Sequence, residues 1–143
     1  SLRKALELDP TIPKARQMLG VLMQQRGDYA GALNEFRTAQ KYGGDDPSIL
    51  NNLALLLATS PDPSLRNLQE AEMYAQQAVV LSQYGDPVIL NTLAITLAES
   101  GRYREALLPL RLAVEKAREM CPELVPELER KIRQCQQQAA KMP

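Results

Sequence analysis

The side chains with the greatest intrinsic reactivity are two thiols, Cys121 and Cys135, 14 positions apart. Histidine, the commonest general base and a frequent metal ligand, is absent from the chain. The cysteine spacing fits no zinc site. If that stretch is mostly one helix, its ~1.5 Å rise per residue puts the sulfurs roughly 20 Å apart, too far to bridge. Free thiols mildly favour a reducing, cytoplasmic compartment. Gly43-Gly44 with Asp45-Asp46 reads as a helix connection, since two glycines alone make no phosphate loop. No catalytic residue, metal set or cofactor motif is therefore expected. What remains is recognition chemistry. Gln17, Asn51 and Asn91 place amides at equivalent points of three related segments, and an amide can pair with a peptide's N–H and C=O whatever its sequence.

Something must hold those amides in register. The chain has 143 residues, 45% of them apolar and 4% aromatic, with Ala and Leu dominant. No β-branched run of strand length occurs, and an all-α fold is expected. Lys and Arg total 17 and so do Asp and Glu, giving no net charge. Without a block of like charge, a nucleic-acid partner is not expected. No apolar stretch approaches the ~20 residues of a membrane span, so direct membrane insertion is not expected either.

The segments are repeats. Residues 46–58, DPSILNNLALLLA, and 86–98, DPVILNTLAITLA, share nine of thirteen letters. Pro13, Pro47 and Pro87 are separated by 34 and 40 residues. The pairs Ala32/Ala39, Ala71/Ala78 and Ala106/Ala113 are each seven apart. Pro13 to Ala32 and Pro87 to Ala106 both span 19 residues, whereas Pro47 to Ala71 spans 24, with one further residue added before Pro87. Removing these six insertions leaves a 34-residue period.

Each unit reads as two helices. Apolar residues recur at helical spacing in the first: Ala15, Leu19 and Leu22; Ile49, Leu53, Leu56 and Leu57; Ile89, Leu93 and Leu97. Asp46-Pro47 and Asp86-Pro87 supply a capping carboxylate and a first-turn proline. Gly20, Ala54 and Ala94 follow the core leucines, and small side chains there let paired helices approach closely. Gly27 and Gly101 suit the left-handed turn that closes a helix. The middle unit carries a longer loop at 60–66, expected to project, after which Asn67 and Glu70 have capping-box spacing. Pro109 falls inside a helix, where it should kink the axis. A single pair of this size cannot bury its apolar face, so the units must stack on one another.

The expected layout is one domain over 1–143. Residues 1–9 form the second helix of a truncated unit, followed by units at 13–42, 47–82 and 87–119 and a capping helix at 122–139. In that last helix Leu124, Val125, Leu128, Ile132 and Cys135 form one apolar stripe. Glu123, Glu127, Arg130, Lys131 and Arg133 read as its solvated face.

The 34-residue period, Leu19-Gly20, Leu53-Ala54 and Leu93-Ala94, Gly27-Asp28-Tyr29 with Ala32, and KALELDP at 4–10 together resemble the tetratricopeptide repeat family. The middle loop also resembles C-terminal repeat segments of large bacterial proteins of that family, some of them membrane-attached. The resemblance implies a right-handed superhelix of helix pairs whose concave face is lined by the first helix of each pair. It implies a non-catalytic scaffold that binds a protein or peptide there.

With the core leucines turned inward, the groove stripe would comprise Lys14, Gln17, Val21 and Gln24, then Ser48, Asn51, Asn52 and Leu55, then Val88, Asn91, Thr92 and Ile95. Relatives that grip acidic chaperone tails use basic and Asn side chains on successive first helices. Here Val88, Thr92 and Val21 stand in those places, so that clamp is not expected. The alternative reading is a spacer or self-associating module of a larger protein, a second copy pairing through Leu2, Leu6 and Leu8 of the leading half-unit.

Overall fold

Asp46 and Asp86 start their helices in the same way. Each carboxylate accepts from the N–H two residues on, Ser48 and Val88, at 2.9 Å. The proline that follows sits in the first turn, where an N–H would have no partner. Pro13 starts a third helix, without a side-chain cap.

The computed structural model describes residues 2–143, and these contain no strand. Eight helices follow in order: α1 Leu2–Leu8, α2 Pro13–Gln25, α3 Tyr29–Gly43, α4 Pro47–Thr59, α5 Leu68–Leu81, α6 Pro87–Glu99, α7 Tyr103–Met120 and α8 Val125–Ala140. Each packs on its neighbours in the chain, and α4 also packs on α6 across one intervening helix. This is an all-α solenoid.

The small residues do what their size allows. A Cβ on Gly20 would stand 2.6 Å from the ring of Phe36, which is fully buried in α3. α2 and α3 are therefore as close as glycine permits. At the equivalent places, α4 and α6 carry Ala54 and Ala94, and the places that correspond to Phe36 carry the smaller Ala75 and Leu110. Gly27 and Gly101 take φ of 84° and 77° and close α2 and α6. After α5 the glycine comes too late, at Gly85, and Gln83 and Tyr84 adopt φ of 56° and 58° instead. For side chains with a Cβ that conformation costs roughly 1 kcal/mol each.

The loop after α4 is anchored at its root. Ser60 is buried, its carbonyl accepts from Arg66 Nε at 2.7 Å, and its hydroxyl accepts from the Asp62 N–H at 3.2 Å. Pro61 to Ser64 stand exposed, partly within a short 3₁₀ turn at Pro63–Leu65, as do Arg66 and Asn67 after it. Asn67 caps α5 by accepting from the Glu70 N–H at 3.0 Å. The reciprocal half of the box is not made: the Asn67 N–H donates to the Leu57 carbonyl, and Glu70 pairs with Arg37.

Buried side chains form two clusters. One gathers Phe36, Leu53, Leu56, Leu57 and small residues of α3 to α5. The other gathers Leu50, Leu90, Leu97, Leu110, Val114, Leu128 and Cys135. Tyr74 packs against both. Leu53 is fully buried, while Leu19 and Leu93 are only partly so. Leu22 departs from the expected core stripe and is 44% exposed. The short α1 covers too little of α2 to hide it.

The last helix also starts later than expected. Pro122 opens a 3₁₀ turn, Pro122–Leu124, and Pro126 takes the first-turn place in α8. The cause is α7, which at 18 residues runs about a turn beyond α5.

Candidate functional site: the face of α2, α4 and α6

At the N-terminal end, α2 and α4 are tied by polar side chains. Lys14 Nζ meets Asp46 Oδ2 at 2.9 Å and donates to Ser48 Oγ at 3.1 Å. Burial raises the Asp46 carboxyl's pKa, but the Lys14 ammonium and the Ser48 N–H outweigh it and hold the group below its usual value. Gln17 Nε2 donates to Ser48 Oγ at 2.8 Å and to Asn52 Oδ1 at 2.6 Å. Beside this network lies an open cleft of about 410 Å³ lined by Met18, Val21 and Leu22. Met18 is 59% exposed. Val21 leans on the core, and Gln24 and Leu55 are half-buried.

The C-terminal end is built differently. Lys131 Nζ of α8 donates to Asn91 Oδ1 at 3.0 Å, so Asn91 is partnered within the chain and Lys131 does not belong to a solvated face. Thr92 is not presented to a groove: it is 2% exposed, and its hydroxyl donates to the Val88 carbonyl one turn earlier. Val88 remains half-exposed.

Two of the three amides bond to a neighbouring helix. Gln17 bonds across to α4 and Asn91 accepts from α8. Asn51, between them in register, has a buried Oδ1 with no hydrogen-bond partner. The residue of α6 that corresponds to Asn52 is Thr92, whose donor is already used within its own helix. Gln17 and Asn91 are thus engaged by a neighbouring helix rather than left free to face outward.

Two residues of this face escaped the sequence pattern. Met18 holds the same place in its helix as Asn52 and Thr92, five after the opening proline, so register alone could have found it. Lys131 could not be found that way, because its contact with Asn91 joins residues 40 apart in the chain.

Charge elsewhere fixes helices to each other. Arg16 meets the buried Glu35 with 2.9 and 3.2 Å contacts to its two oxygens. Arg37 pairs with Glu70, and Arg102 with Glu72, linking successive second helices. Both cysteines are free. Burial pushes the Cys135 thiol's pKa up, which disfavours the nucleophilic thiolate. Among the described residues no cluster of His, Cys, Asp or Glu is arranged to hold a metal ion, and no helix is long and apolar enough to cross a membrane.

No curated protein matches the chain. Family profiles described as tetratricopeptide repeat match residues 1–34 and residues 88–123. The first match ends in α3 and the second begins in α6, and between them the same helix-pair packing runs on without interruption. The chain is a tetratricopeptide repeat protein.

Proposed function

We propose that the chain is a non-catalytic scaffold that binds a peptide segment of a protein partner on the face made by α2, α4 and α6. Tetratricopeptide repeats generally mediate protein–protein interaction. The observation that carries the location is the apolar floor of Met18, Val21 and Leu22 beside the neutralised Lys14–Asp46 pair. Large apolar side chains left open next to satisfied polar groups suit an apolar anchor from a partner. Among the outward-facing groups expected from the sequence, Val88 and Ile95 extend this apolar character along α6, while Gln24, Ser48, Asn52 and Leu55 form the intervening surface.

A double substitution, Met18→Glu with Leu22→Glu, adds charge at two exposed positions and should leave the melting temperature nearly unchanged. With a partner identified by cross-linking, calorimetric titration should show at least a tenfold loss of affinity. Undiminished binding would place the contact elsewhere.

A further inference from the structure

A second cleft, of about 260 Å³, opens between α6 and α8. Its walls are Ala94, Ile95, Ala98 and Leu110, with Cys135 and Gln134 from α8. Lys131 stands at one end beside Asn91, and Glu99 lies two turns further along α6. Eight residues of helix separate Asn91 from Glu99, about 12 Å at ~1.5 Å per residue.

Lys131 is a cation held partly out of water. It is half-buried, and among the described residues it forms no ion pair. Its nearest carboxylate along α8, Glu127, is committed to Arg130, whose Nη2 and Nε contact its two oxygens at 2.5 and 2.9 Å. Burial lowers the Lys131 pKa, Glu127 opposes that, and Arg130 adds to it. The ammonium carries three N–H donors, and Asn91 Oδ1 takes one. A partly desolvated ammonium with donors to spare, set at the mouth of an apolar cleft, lacks a carboxylate.

We propose that this cleft receives an acidic residue of the bound peptide: its carboxylate on Lys131 Nζ and an adjoining small aliphatic side chain against Ile95 and Ala98. This deepens the reading of the α2, α4 and α6 face and rests on it, since Asn91 and Ile95 belong to the same stripe. The volume is below that of a typical small-molecule site and suits one or two side chains. Glu99 sets the direction. It repels a carboxylate at its own end, so the acidic residue goes to Lys131 and any basic residue lies about 12 Å away, three to four residues of extended chain.

The test uses two peptides, Ac-Val-Asp-Ala-Val-NH2 and its Asn counterpart, titrated into the intact isotope-labelled chain and followed by amide chemical shifts. The Asp peptide should move resonances of α6 and α8 with millimolar affinity, and the Asn peptide should bind at least tenfold more weakly. Lys131→Arg should retain the difference and Lys131→Met abolish it. Equal binding of both peptides, absence of binding, or binding unaffected in Lys131→Met would overturn the proposal. So would isovalerate matching the Asp peptide at the same resonances, which would make this a site for free small carboxylates. Loss of this assignment with partner contacts at Met18 intact would leave the groove reading standing; loss of both would remove it.

Discussion

At the scale of single residues, contact size decides more than propensity does. Alanine is the better helix former than glycine by about 1 kcal/mol, so Gly20→Ala on a free helix would stabilise. Here the new methyl would meet the Phe36 ring at 2.6 Å, and the ring is fully buried with no slack to yield. We expect Gly20→Ala to destabilise by roughly 1–3 kcal/mol in urea unfolding, the cost of overpacking. Adding Phe36→Leu, which copies the Ala94 and Leu110 combination of the third unit, should recover part of it. The amides give a contrasting prediction. Gln17→Ala deletes two inter-helix bonds and should cost about 1 kcal/mol, whereas Asn51→Ala removes an unsatisfied buried oxygen and should be close to neutral. A large loss for Asn51→Ala would mean that this amide holds α4 to α6 after all.

At the scale of the helices, starts and stops were legible in the sequence and facing directions were not. Asp-Pro dipeptides and turn glycines act through their own backbone within three or four residues, so their letters suffice to place Pro47, Pro87, Gly27 and Gly101. Which way Gln17 or Asn91 turns depends on the neighbouring helix, α4 for Gln17 and α8 for Asn91, and that packing is not written in the local letters. The caps also carry a pH dependence. Asp46 is held below its usual carboxyl value, so its contribution is fully present above the unfolded value of 3.8 and is lost as pH falls through the lower folded one. Asp46→Asn keeps a capping oxygen but not the charge. Its melting temperature should therefore fall less steeply than that of the parent between about pH 5 and pH 2. Parallel curves would show that Asp46 gains nothing from Lys14.

At the scale of the whole chain, contacts run mainly between helices adjacent in sequence, and stability is distributed along the stack accordingly. Burial is deepest in α4 and α6, each with seven buried residues, against none in α1 and two in α2. Amide exchange should grade from fast in α1 and α2 to slow in α4 and α6, and uniform protection would contradict a modular stack. The two apolar clusters meet at Tyr74, which should keep the middle and C-terminal pairs unfolding together. Leu8 is 82% exposed, whereas Leu2 and Leu6 are partly covered in α1.

The proposed binding requires the partner to meet the first helices of the pairs rather than the second. A photoreactive benzoylphenylalanine placed at Met18 on α2, or at Leu108 on α7, compares the two faces at exposed sites, 59% and 67% open. Illumination with a native extract should give a discrete cross-linked protein at Met18 that the Met18→Glu, Leu22→Glu surface cannot compete for. An adduct at Leu108 with none at Met18 would contradict the account.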